Sequence, residues 1–223
     1  MTDPASGEQL PAAVPLFPLP NVVLFPRAVL PLHIFEERYK QMTAEVLKGH
    51  RQIAMALLAR GWEKDYYGRP AVESVVCVGT ILSHEQLPDG RYNFLLRGHT
   101  RARIVREVGE EPYRQGVLEP LLETNADENA LREARERLIE MFKREAYSAL
   151  PGGAQIRQML EADVPTAAIA DLLAFNVLSD DQVALKQSLL AEADVQRRVW
   201  RLVEALAALQ PAWQNTPGHA GLN

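Results

Sequence analysis

The stretch PLFPLPNVVLFPRAVLPLHIFEERYKQM, Pro15–Met42, decides the fold. Its prolines at 15, 18, 20, 26 and 31 lack a backbone donor and fix φ, so no helix runs through it. Between them lie short apolar pieces, Leu16-Phe17, Val22–Phe25 and Val29–Phe35. The spacing predicts a first extended edge strand, a turn at Pro20-Asn21 and a second strand around Val29–Phe35. The period then switches. Phe35, Tyr39, Met42 and Val46 fall at i, i+4, i+7 and i+11, one face of a helix over residues 36–48. Gly49 stands where a left-handed helix stop is expected. The plainer reading of the same residues is a proline-rich edge of some β domain.

On either side of this stretch the pattern is equally local. Residues 1–12 are small, polar and proline-containing, the composition of a disordered lead. Gln52–Leu58 reads as a strand apolar on both faces. Residues 59–73 form a long loop carrying Trp62, Tyr66 and Tyr67, which either pack down or receive a ligand. Ser74–His84 is a strand, Leu87-Pro88-Asp89-Gly90 a hairpin turn, and Arg91–Arg97 the return strand with Tyr92, Phe94 and Leu96 on one face. Gly98 interrupts it, Arg101–Glu107 continues, and Gln115–Leu122 closes a sheet of about six strands, enough to curl on itself.

From Ala126 to Ala149 the period is helical, until Pro151-Gly152-Gly153 breaks it. Helices are expected over Ala154–Glu161 and residues 165–177. Ser179 and Gln182 have capping-box spacing, and Asp194 caps a last helix that Pro211 stops. The expectation is therefore an α+β chain. A barrel-like, mostly antiparallel β subdomain with one or more helices (13–123) is followed by a C-terminal helical bundle (124–210) and a loose tail (211–223).

Composition sets the class. With 223 residues, 47% hydrophobic and 24% charged, the chain can bury a sizeable core as an ordinary soluble protein. No apolar run approaches the roughly 20 residues that span a bilayer. The first residues carry neither a basic nor an apolar signal region, and the lone Cys77 permits no internal disulfide, so a cytoplasmic setting without membrane contact is expected. The net charge of −5 argues against a general nucleic-acid binder.

Three ordered blocks resemble the Lon protease N-terminal domain family, the substrate-binding domain at the front of ATP-dependent Lon proteases. The first is the opening stretch. The second runs from Val78-Gly79-Thr80 through Leu87-Pro88-Asp89-Gly90 to Leu95-Leu96-Arg97-Gly98-His99-Thr100-Arg101-Ala102-Arg103-Ile104. The third joins Ala170-Asp171-Leu172-Leu173, Lys186-Gln187-Ser188-Leu189-Leu190 and Asp194-Val195-Gln196-Arg197-Arg198. The resemblance covers roughly residues 13–210. It implies a stand-alone, non-catalytic module that holds unfolded or exposed hydrophobic polypeptide segments, with a protease or chaperone as a further partner. The family's ATPase and serine–lysine proteolytic modules are not expected here.

The residues themselves offer little chemistry. No G-x-x-x-x-G-K-[ST], H-E-x-x-H or G-x-S-x-G occurs, and the five histidines are scattered, so no cofactor, metal or catalytic residue is expected. Candidate peptide contacts are Phe35, Tyr39, Met42, Trp62, Tyr66 and Tyr67, soft or aromatic groups for which ordinary core packing is the competing reading. Arg97, His99, Arg101 and Arg103 share odd parity and would line one face of an uninterrupted strand, a basic stripe suited to phosphates or acidic peptides. A bulge at Gly98 would split that stripe. The alternative function is thus a nucleic-acid-binding β barrel using Arg97–Arg103, and an enzyme acting on a small molecule ranks behind both.

Overall fold

The computed structural model describes residues 10–65, 68–109, 112–150 and 152–214. They fall into two compact units. The first gathers the described residues up to Leu122 together with Ser179–Ala193, and the second gathers Glu123–Leu178 with the described residues from Asp194 onward.

In the first unit, β1 (Val14–Leu19), β2 (Val29–Ile34), α1 (Glu37–Leu47), β3 (Gln52–Leu57), β4 (Val75–Gln86), β5 (Tyr92–Val108) and β6 (Gln115–Pro120) follow in that order. The strands pair as β2-β5-β4-β3-β1-β6, and β6 pairs again with β5. The sheet therefore returns on itself and leaves β2 outside the circuit. Every pairing is antiparallel except β1 with β3. Val14, Leu16, Ala54, Ala56, Val76, Val78 and Ala102 form one apolar cluster. Leu10 packs against it, so at least this residue of the expected disordered lead is held by burial.

The opening prolines behave differently from the expectation of a first edge strand. β1 lies between β3 and β6, and β2 is the edge. The Leu16 amide donates to the Arg114 carbonyl at 2.8 Å, so the ring nitrogen of Pro18, two residues on, faces the same side. The β6 pairing covers only Val14 and Pro15, so Pro18 forfeits no ladder bond. Position φ > 0 after α1 falls on Arg51 rather than Gly49, and the Arg51 amide donates back to the Val46 carbonyl at 2.9 Å. The turn Leu87–Gly90 closes with the Gly90 amide on the Leu87 carbonyl at 2.9 Å.

The long strand β5 is continuous where an interruption was expected. Its pairing to β4 shifts between Val78↔Thr100 and Gly79↔Gly98, which leaves His99 as an extra residue. A Cβ on Gly98 would lie 2.2 Å from the Phe25 carbonyl oxygen. Only glycine lets the chain at 25–28 settle here, where the Arg27 amide reaches the Gly98 carbonyl at 2.7 Å and the Gly98 amide reaches the Ala28 carbonyl at 2.9 Å.

Residues 179–193 belong to this first unit, whereas the sequence pattern grouped them with the helical bundle. Ser179 opens the segment, its amide taken by the Gln182 side chain at 3.2 Å. The helix α6 (Val183–Leu190) follows. Gln187 donates to the Val75 carbonyl at 2.8 Å and Leu190 accepts from Arg101 Nε at 3.2 Å, tying α6 to the sheet.

The second unit contains α2 (Glu128–Phe142), α3 (Glu145–Ser148), α4 (Gly153–Glu161), α5 (Thr166–Asn176) and α7 (Val195–Gln214). The expected single helix to Ala149 breaks at Lys143-Arg144, and α7 runs past Pro211 to Gln214. One proline near a helix end removes a single intrahelical bond, which the preceding turns tolerate. Leu131, Leu138, Phe142, Leu173, Val199 and Leu206 are among its buried side chains. Arg135 closes the end of α4, donating to the carbonyls of Leu160 at 3.0 Å and Ala162 at 2.6 Å. Glu128 takes the first amide of α5, Thr166, at 2.7 Å. The buried Arg198 sits between Asp171, 3.4 Å from its Nε, and Glu123. Among the described residues no helix is long and apolar enough to cross a membrane.

The Gly98 approach predicts a sharp cost for the smallest side chain. Gly98→Ala should lower the urea midpoint by an amount corresponding to about 2–3 kcal/mol, because backbone must move to admit a methyl group. Gly49→Ala, where nothing lies within 4 Å of the added carbon, should leave the midpoint unchanged or slightly raised.

Candidate functional site

The open strand β2 builds the most distinctive surface. Gly98 donates to Ala28, and exchange pairs in an antiparallel ladder recur at every second residue, so Leu30, Leu32 and Ile34 bond to β5. The backbone groups of Val29, Pro31 and His33 consequently face the open edge. Pro31 supplies a carbonyl there but no donor, a common way to blunt an edge against aggregation.

Side chains of the same three residues share one sheet face with their partners Arg97, Leu95 and Asn93. Phe35, one step past β2, is 63% exposed and stacks on the His33 ring at 6.2 Å. Val29 at 40%, Leu95 at 39% and Leu82 at 43% complete an exposed apolar set, Leu82 being the extra residue of a second β4 irregularity. A shallow groove of about 460 Å³ runs here past Pro31, Leu32, His33, Phe94 and Leu95. Its rim is polar and pre-ordered. His33 Nδ1 donates to Asn93 Oδ1 at 2.7 Å, and Nε2 lies 3.3 Å from Arg91 Nη1. The Arg91 guanidinium, bonded at 2.7 Å, holds the Asp89 carboxyl below the usual carboxylate range.

A second cavity, of about 380 Å³, lies between the end of β3, the start of β4 and α6. Leu57, Trp62, Glu73, Val75, Val183 and Gln187 are among its walls. Trp62 is presented by a short 3-10 turn, Trp62–Asp65, that follows β3.

The sequence-derived candidates are distributed unevenly over these sites. Tyr39 and Met42 are core residues, 5% and 0% exposed, and Tyr39 packs edge-on to Phe17 at 4.5 Å. Neither is open to a ligand: burial in the α1–sheet interface is the stronger demand on that helical stripe. Phe35 is separated from them because it precedes the helix and points to the exposed face. Trp62 lines the second cavity, and Tyr66 and Tyr67 lie outside the described residues.

The basic stripe is divided. Arg97 pairs with Thr80, whereas Arg101 and Arg103 pair with Cys77 and Val75 across the His99 bulge. Odd and even positions of β4 face opposite ways, so Arg97 lies on one face and the other two arginines on the other. Arg101 is 5% exposed and spends its Nε on Leu190, while Arg97 and Arg103 stay at the surface and His99 is half-buried. No continuous cationic face results.

Sequence reasoning missed Val29, Leu82 and Leu95. Leu95 carried a signal, since it stands at the outward position between the inward Phe94 and Leu96. Among the described residues there is no cluster of His, Cys, Asp and Glu able to hold a metal ion.

The family model of the ATP-dependent protease La (LON) substrate-binding domain matches residues 13–208. The chain belongs to the LON substrate-binding domain family. Its relatives include Lon protease 2 of Myxococcus xanthus, 26% identical over 203 residues, and Lon protease of Trichlorobacter lovleyi, 29% identical over 203 residues. Each alignment covers 89% of this chain but 24% of the relative, so the chain spans about a quarter of the length of these proteins. A Lon N-terminal domain protein from Xanthomonas campestris superposes with a TM-score of 0.62 at 25% identity, covering 86% of this chain and 97% of that one. The N-terminal domain of Mycobacterium avium complex Lon protease shares the fold with a TM-score of 0.67 at 18% identity, covering 87% and 98%. The family match is to the substrate-binding domain and to neither the ATPase nor the protease part of Lon.

In this LON-family chain a polar contact ties α1 to the segment just before β6. The Tyr113 hydroxyl donates to the Glu45 carboxylate on α1. Burial first, and then that bond, raise the Tyr113 phenol to about 12. The same bond, helped by Gln41, lowers Glu45 from the usual glutamate value. The raised phenol contributes stability that is whole below its unfolded value of about 10. That contribution fades as pH climbs through about 12. The lowered carboxyl contributes above its unfolded value and fades as pH falls through the folded one. Tyr113→Phe should therefore reduce stability at neutral pH. Its deficit in urea unfolding should shrink both in strong acid and above about pH 10.

Proposed function

We propose that this chain recognises polypeptide substrates, seating an extended apolar segment along β2 with its side chains on Phe35, Leu95, Val29 and Leu82. The observation that carries the reading is the coincidence of an open strand edge with an exposed apolar face, in a chain of the LON substrate-binding domain family. Main-chain pairing to an edge gives affinity without regard to sequence, and the apolar face adds a preference for hydrophobic residues at alternate positions. Folded proteins bury such residues and satisfy their own strands, so unfolded segments are the natural occupants. Pro31 removes a donor from the middle of the edge. Pairing is thereby kept short and reversible, as a recognition module that must release its cargo requires.

The role is binding without catalysis. Delivery of the held segment to a protease or chaperone would follow from that role, and a cytoplasmic setting suits it. The divided arginines leave no observation that favours the nucleic-acid alternative.

Fluorescence titration of a reduced, permanently unfolded polypeptide tests the reading. The protein should bind it, and Phe35→Ser with Leu95→Ser should weaken binding by about tenfold to thirtyfold, at roughly 1 kcal/mol for each partly exposed apolar side chain. Because both side chains are at the surface, the thermal midpoint should hardly move. Unchanged affinity in a folded double variant would exclude this face.

A further inference from the structure

The Trp62 cavity has a chemistry that the apolar groove lacks. Resting on the reading of the chain as a polypeptide binder, we infer that this cavity receives a basic side chain, arginine above lysine, of the bound polypeptide.

Three features of the walls carry the assignment. Leu57 and Val75 are buried and Val183 half-buried, so one side of the cavity is apolar. Trp62 contributes a half-buried indole. Glu73 is half-buried, and its backbone amide is committed to the Leu57 carbonyl at 2.8 Å. Its carboxylate takes no hydrogen bond or ion pair from any other described residue. A partly desolvated carboxylate beside apolar walls gains from a cation brought to it. Gln187, another polar residue of the lining, already spends its amide on the Val75 carbonyl. Exposed Arg60 and Glu63 add one charge of each sign, which leaves Glu73 as the net charge of the lining.

An arginine side chain matches all three features. Its methylenes lie along the apolar wall, its guanidinium can cover the indole face, and its donors can meet the carboxylate. An acidic side chain would be repelled, and a purely apolar one would strip water from Glu73 without replacing it. At about 380 Å³ the cavity is near the lower end of ligand sites, a size for one or two side chains rather than a cofactor.

The test uses the whole chain, isotopically labelled, and two capped apolar peptides that differ at one position, arginine or norleucine. The arginine peptide should shift the Trp62 indole and Glu73 amide resonances, and the norleucine peptide should not. Both should shift Phe35 and Leu95, as the groove reading requires. Glu73→Gln, folded by its unchanged thermal midpoint, should weaken the Trp62 response to the arginine peptide by about tenfold. Equal Trp62 shifts with both peptides, or no effect of Glu73→Gln, would overturn the cavity assignment and leave the groove standing. An equal response to N-acetylarginine amide would overturn a polypeptide as the occupant. If neither peptide moves Phe35 or Leu95, the groove reading falls, and the Trp62 shifts judge the cavity alone.

Discussion

The first unit depends on the approach of one carbonyl to one glycine. With the Phe25 oxygen 2.2 Å from where a Cβ would stand on Gly98, the chain at 25–28 can lie directly on β5. That contact starts β2 at Val29 in register with Arg97 and places β2 beside the first half of β5. The second half of β5 then turns to β6 across the His99 bulge, and the sheet closes without β2. A single crowded position thus lets one strand serve two neighbourhoods. It also decides that the free edge belongs to the proline-bearing strand.

The bulge also settles the fate of the arginines. By reversing parity it sends Arg101 inward to the Leu190 carbonyl, where it fastens α6 instead of facing solvent. A run that looks like one binding stripe is split between a structural tie at Arg101 and separate surface arginines, Arg97 and Arg103. The outward face opposite keeps its apolar residues, Leu95 and Val29, because no described element covers them. The proposed binding surface therefore lies where the architecture stops pairing, and membership of the LON substrate-binding domain family supports reading it as a polypeptide site.

Much of the local structure was legible in the sequence. The Leu87–Gly90 turn, the Ser179–Gln182 cap and the existence of six strands follow from turn chemistry, capping and periodicity. What could not be read is set by partners distant in sequence. β1 carries prolines typical of an edge, yet pairs with β3 because Pro18 happens to face the side where β6 has ended. Residues 179–193 have an ordinary helical pattern, and only the bonds of Gln187 to Val75 and Leu190 to Arg101 assign them to the sheet. At the candidate site the helical stripe Phe35–Tyr39–Met42 broke where strand gives way to helix. The apolar pair Leu95-Leu96 held the clue to the outward face, but one position off the pattern weighs little until the partner strand is known.

Amide exchange along β2 tests the central claim that this edge holds polypeptide. In the free protein Leu30 and Leu32 are bonded to β5, whereas Val29 and His33 face outward and should exchange readily. Under saturating unfolded polypeptide, the account predicts that Val29 and His33 slow by about tenfold or more, with Leu30 and Leu32 little changed. Protection confined to other elements, or none at these two amides while binding is complete, would contradict it.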